Sequence, residues 1–171
     1  VHCQITNPRI LQGMKDQDLL AYIQPVFIDL DMNTVEPAIG AQRMDKVYAW
    51  KSMLDMGIHT SGGSDAPVVS FDAMENIYFA VTRKNISGQP QEGWIPSEKI
   101  SVDEAVKLFT KNAAYASYTE DENGTIEVGK NADFVVLEKN IYEIDPDEIK
   151  ATKVDMTVLG GEIVYEREVE E

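Results

Sequence analysis

Apolar residues along the chain fall into runs whose period alternates between that of a strand and that of a helix. From Leu20 to Ile28 (LAYIQPVFI) they are nearly continuous, as in a strand buried on both faces, with Pro25 confined to its end or to a bulge because it cannot donate to the ladder. Before it, Val1 to Ile5 is a short β-prone run, and Thr6-Asn7-Pro8 supplies a cap and an early helical proline for a short helix to about Lys15. After it, Asp29 to Ala41 is polar and too long for a tight turn, which predicts an ordered loop over a functional face. From Gln42 to Met56, Met44, Val47, Tyr48 and Leu54 recur at helical spacing, and Gly57 stands where a left-handed C-cap belongs. Ile58 to Ser64 reads as a strand running out into glycines. The order β-α-β-α-β implies parallel pairing with right-handed crossovers, so the strand ends near residues 2, 27 and 64 should open on one side.

The pattern then turns helical. Phe71 to Lys84 carries Ala73, Met74, Ile77, Tyr78 and Val81 on one side, and a Gly- and Pro-bearing loop to Pro96 follows. Ser101 and Glu104 form an S-x-x-E capping box ahead of a helix spanning about Val102 to Ser117. An acidic, glycine-bearing boundary from Glu120 to Lys130 separates this from a β region: Ala132 to Leu137, Lys153 to Leu159 and Glu162 to Glu166. The Gly160-Gly161 pair between the last two predicts a hairpin turn needing positive φ at both positions. The expected division is 1–118 and 119–171, ending in a charged, frayed tail from Glu166 to Glu171.

Composition narrows the function. With 171 residues, 43% hydrophobic, the chain can bury a core; 15 basic against 30 acidic residues give a net charge of -15, which disfavours nucleic acid and anionic membranes as partners. No stretch approaches the roughly 20 apolar residues of a membrane span. The single cysteine, Cys3, excludes an internal disulfide framework and makes a reducing, cytoplasmic setting the default, with an exported protein lacking disulfides as the alternative. The chain opens directly in a β-prone run, as if cut into from the middle, and a processed or engineered terminus accounts for this equally well.

Asp65 is the first candidate for chemistry, because a carboxylate at the C-terminal end of a parallel strand, after small residues, is where an α/β barrel keeps catalytic groups. An aspartate between serine and proline is more often a turn residue. His2 is expected on the same face as Asp65. One histidine and one aspartate are compatible with metal ligation, yet a catalytic zinc ordinarily takes three protein ligands. His59, six residues before Asp65 on an extended strand, lies roughly 20 Å away and cannot share that metal. Cys3, next to His2, points to the opposite face and reads as core.

Three ordered motifs carry a family resemblance: His2-Cys3-Gln4, the run Met56-Gly57-Ile58 to Gly63-Ser64-Asp65-Ala66-Pro67-Val68, and Asn123-Gly124-Thr125-Ile126-Glu127-Val128-Gly129-Lys130-Asn131-Ala132-Asp133-Phe134-Val135-Val136-Leu137. Together they resemble the YtcJ-like (amidohydrolase family 3) branch of the metal-dependent amidohydrolase superfamily, C-terminal half only. Val1 stands where that family usually has glutamate. The resemblance implies an α/β fold: the C-terminal part of a TIM-like (β/α)8 barrel, strands six to eight with their helices, plus a segment of a small β-sandwich. It also implies one or two divalent metal ions, most simply zinc, with His2 and Asp65 as the ligands present. Asp65 would accept a proton from the attacking water and pass it to the leaving nitrogen, and His2 would bind a metal or polarise the scissile carbonyl.

Arg43 could pair with a substrate carboxylate, although a solvated arginine is the commoner case. The substrate implied is a small molecule with an amide-type bond. The further partner implied is the missing N-terminal half of a parent chain, and open barrel edges favour a homo-oligomer. Two other classes stay open on the residues alone. One is a non-catalytic regulatory or assembly module that keeps the fold. The other is a flavodoxin-like binding domain, disfavoured because no Gly-rich phosphate loop follows the first strand.

Overall fold

In the computed structural model, which describes residues 1–168, the first helix begins where its cap dictates. The Asn7 side chain accepts from the Ile10 amide at 2.9 Å, Pro8 occupies the first turn, and helix α1 runs Pro8–Asp16. Strand β1 (Ala21–Ile23) is shorter than its apolar run. Gln24 and Pro25 end it, and Phe27–Asp31 turns into helix α2, entered through a bond from the Val26 amide to the buried Asn76 side chain at 3.2 Å. The stretch expected to be a loop instead folds into α2, helix α3 (Val35–Ile39) and a 3-10 segment, Ala41–Lys46.

The helix expected over residues 42–56 is interrupted. Val47 is extended and Tyr48 has a φ of 49°, because the backbone here pairs with the start of the chain. Thr6 donates to the Lys46 carbonyl at 3.1 Å, Tyr48 donates to the Gln4 carbonyl at 2.8 Å, and Ile5 bridges Val47. Helix α4 then covers only Trp50–Asp55. Val1 to Gln4 form no strand; their backbone is tied by these bonds, and His2 and Cys3 adopt positive φ, 67° and 50°.

Strand β2 (Thr60–Gly62) pairs parallel with β1, Ala21 opposite Thr60 and Ile23 opposite Gly62. Gly62 lies against the Phe109 ring so closely that a Cβ there would come within 2.7 Å of it. Helix α5 (Ala73–Thr82) is capped by Asp72, which accepts from Met74 and Glu75, and helix α6 (Val102–Phe109) begins in the Ser101–Glu104 capping box. The single helix expected to Ser117 is two: Thr110 leaves helical geometry (φ -126°, ψ -99°), its hydroxyl donating back to Val106, and helix α7 (Lys111–Ala116) restarts after it.

The β region forms where its runs and its turn chemistry place it. Strands β3 (Phe134–Leu137), β4 (Val154–Leu159) and β5 (Glu162–Glu166) make an antiparallel sheet in that order, with Gly160 and Gly161 at φ 59° and 84° in the hairpin. Glu166 belongs to β5, and Arg167 donates to Asp155 at 2.5 Å, so this part of the expected tail is ordered; residues 169–171 lie outside the described residues.

One core joins most of these elements. Ile23, Trp50, Tyr78, Phe79 and Leu108 are buried, and Ile141 and Ile149, from the segment between β3 and β4, belong to the same cluster. Burial of such a side chain contributes about 1.5–3 kcal/mol. Lys84 pairs with Asp147 at 2.7 Å and Lys150 donates to the Ile86 carbonyl at 2.6 Å, tying the end of α5 to the 3-10 segment Pro146–Ala151. Among the described residues no helix is long and apolar enough to cross a membrane.

Candidate functional site

The C-terminal ends of β1 and β2 set the site. The Gly63 amide donates to the Ile23 carbonyl at 3.0 Å, which extends the pairing one step past Gly62 and puts Gln24 and Ser64 at the same end of the sheet. Gln24, buried, is the residue that reaches His2: its Oε1 lies 2.9 Å from His2 Nδ1. The His2 ring stacks on Phe27 with centroids 5.6 Å apart. Asp65 follows two residues after Gly63, exposed, in the left-handed region at φ 65°, where aspartate is tolerated better than most side chains. The structure therefore brings His2 and Asp65 to one end of the parallel pair, without a hydrogen bond between them.

A second network anchors the backbone that carries His2. The Gln4 amide donates to Asp31 at 2.7 Å and to the Tyr48 hydroxyl at 2.9 Å, while Tyr48 donates to the same Asp31 oxygen at 2.5 Å. Burial, reinforced by the Asp31 carboxylate, pushes the Tyr48 phenol well above its ordinary range, so it stays protonated and donates. Beneath it lies Arg83, fully buried between Trp50 and Trp94, its guanidinium 4.5 and 5.6 Å from the two ring centroids. Arg83 donates through Nη1 to the Tyr48 carbonyl at 2.9 Å and through Nε to the Trp94 carbonyl at 2.6 Å. Burial pushes its guanidinium down to about 10, opposed by Glu98, so it remains charged at neutral pH.

Other candidates lie apart. Arg43 sits exposed on the 3-10 segment Ala41–Lys46, and none of its side-chain atoms bonds to another described residue. His59 is at the opposite end of β2, stacked on Tyr115 with centroids 4.3 Å apart, beside a cavity of about 340 Å³ also lined by Lys111, Asn112 and Glu120. That cavity is on the wrong end of the strands to serve Asp65. Cys3 is half-buried against the core, and burial pushes its thiol up, which keeps it unreactive.

An imidazole nitrogen and a carboxylate are a donor pair suited to a divalent transition metal. Here both are free to ligate: His2 Nε2 and the Asp65 carboxylate make no hydrogen bond among the described residues, while Nδ1 is engaged from behind. The donors fit in kind and fall short in number, since no group of three or more His, Cys, Asp or Glu side chains converges among the described residues. Gln24 was the residue missed by motif reading, although its place as the one amide in the run Leu20–Ile28 is a visible signal. Arg83 gave no such signal: a basic residue at a helix end normally reads as solvated.

Comparisons with known proteins agree with one another. The model of the amidohydrolase family matches residues 1–165. The protein YtcJ of Bacillus subtilis is 34% identical over 167 residues, which is 98% of this chain and 32% of YtcJ. An N-substituted formamide deformylase of Arthrobacter pascens is 35% identical over 122 residues, 71% of this chain and 22% of that protein. The chain thus spans about a third or less of the length of these relatives. Among solved structures, an uncharacterized metal-dependent hydrolase from Pyrococcus horikoshii superposes with a TM-score of 0.76 at 20% identity, over 85% of this chain and 29% of that one, a likeness of fold.

Proposed function

We propose, since the chain belongs to the amidohydrolase family, that it is the C-terminal part of a metal-dependent hydrolase cleaving a non-peptide carbon–nitrogen bond in a small molecule. The observation that carries the reading is the placement of His2 and Asp65 at the C-terminal end of one parallel strand pair, the end at which α/β barrels build active sites. In this reading β1 and β2 are barrel strands seven and eight, His2 stands at the end of strand six, and β3–β5 belong to a small sandwich, while Ile141 and Ile149 between β3 and β4 pack back into the core of residues 1–118. The remaining ligands come from the N-terminal part of the parent chain.

One or two divalent ions, most simply zinc, would polarise the scissile carbonyl and acidify water. His2 holds its ring through Gln24 and offers Nε2 as a ligand. Asp65, whose carboxylate makes no hydrogen bond among the described residues, takes the proton from the attacking water and returns it to the leaving nitrogen, base and acid in turn. Arg43 is assigned to a substrate carboxylate at the rim. The deformylase among the relatives supports an amide-type bond as the target.

The test uses the complete protein against N-substituted amides, lactams, ureides and carbamates, before and after removal of metal by a chelator. Turnover of at least one class is expected, lost with the metal and restored by zinc. Turnover that persists in metal-free protein, or a zinc-loaded protein inert on all four classes, overturns the reading.

A further inference from the structure

We infer that Gln24 is a positioning residue: its side-chain carbonyl holds the His2 proton on Nδ1 and so leaves the Nε2 lone pair available as a ligand. An amide oxygen accepts and never donates, so the 2.9 Å contact between Gln24 Oε1 and His2 Nδ1 requires the hydrogen to be on Nδ1. An unconstrained neutral imidazole distributes its proton between the two nitrogens, and whichever nitrogen is bonded from behind decides which one is left to ligate.

Gln24 is built for this. It is 6% exposed, it directly follows β1, and its own carbonyl accepts from the Phe27 amide at 3.1 Å, which fixes the backbone from which the side chain projects. Phe27 in turn stacks on the imidazole, so the same turn supplies both the acceptor and the surface that restricts ring rotation. On the other side, Gln4, Asp31 and Tyr48 clamp the segment two residues beyond His2. The ring is thereby constrained in tautomer, tilt and position before any metal arrives, an arrangement of the kind that orients metal-bound histidines from the second layer of contacts.

The inference rests on His2 being a ligand, but its test needs neither metal nor turnover and so can fail separately. Long-range proton–nitrogen correlation spectra of the complete, metal-free, histidine-labelled protein, with His2→Gln and His59→Gln variants to assign the two signals, resolve both rings. Each tautomer of a neutral imidazole has its own pattern. His2 is expected as the pure Nδ1–H form. In Gln24→Leu that pattern is lost in favour of Nε2–H or a mixture, and in Gln24→Glu, which still offers a carboxylate oxygen, it returns. The His59 signals, from a ring stacked on Tyr115 at the far end of β2, report in each variant whether the fold persists. Wild-type His2 in the Nε2–H form or a mixture overturns the inference with no Gln24 variant needed. An unchanged His2 pattern in Gln24→Leu with His59 also unchanged overturns it as well.

Discussion

Arg83→Ala is expected to lower the free energy of unfolding by about 3–5 kcal/mol, the range for removing one member of a buried, hydrogen-bonded charge system. Three losses combine. The Trp94 carbonyl loses its donor inside the protein, and an unsatisfied buried acceptor costs about 1–3 kcal/mol, while the Tyr48 carbonyl loses one of two donors and keeps the Trp50 amide at 2.8 Å. The guanidinium stacked between Trp50 and Trp94 contributes about 2 kcal/mol of cation–π attraction when desolvated. Its volume also leaves a cavity between the two rings. Glu98, 2% exposed, is not orphaned, because the Ser52 amide and hydroxyl donate to it at 2.8 and 2.5 Å and Lys46 lies 3.5 Å away. Arg83→Lys should recover only a small part of the loss, since an ammonium keeps the charge but neither the fork nor the flat stacking surface. Denaturant titration followed by tryptophan fluorescence reads the effect; a change under 1 kcal/mol in Arg83→Ala would show that the sandwich is not a stabilising element.

Asp65→Asn is expected to lower kcat of the complete protein about 10²–10⁴-fold, the usual contribution of a positioned acid and base, while the unfolding midpoint stays where it was. Asparagine tolerates the left-handed backbone at φ 65° as aspartate does, so the variant removes charge without adding strain. Asp65 makes no side-chain hydrogen bond among the described residues and is exposed, so no packing argument predicts a loss of stability. The two readouts separate chemistry from scaffolding. A turnover unaffected by the substitution would remove Asp65 from the mechanism, and a lowered midpoint with proportionate loss of activity would make it a turn residue.

What the sequence revealed follows the range of the interactions involved. Ser101 with Glu104, Asn7 with Pro8, and Gly160 with Gly161 act within four residues of themselves, and the structure has each element where those residues place it. The continuous apolar run Leu20–Ile28 was ambiguous by nature, because a buried strand and a short buried helix share that pattern; three residues became β1 and the remainder entered α2 once Asn76, fifty residues away, accepted from Val26. The helix expected over residues 42–56 failed for a similar reason: Lys46 bonds to Thr6, and Tyr48 to Gln4 and Arg83, partners outside any local window. His2 and Asp65 were legible as motif residues, and the parallel register explains their common end. The Gln24 contact to His2 spans 22 residues and has no periodic signature, so only the folded chain exposes it.

The most direct test of His2 and Asp65 as two ligands of one metal-dependent site is anomalous diffraction at the zinc edge from crystals of the complete, zinc-loaded protein. The account predicts a peak at the C-terminal end of the β1–β2 pair, with His2 Nε2 and an Asp65 oxygen each about 2.0–2.2 Å from an ion there, both on the same ion or on two neighbouring ones. A zinc peak elsewhere, or one at that end with neither His2 nor Asp65 within bonding distance, would contradict it.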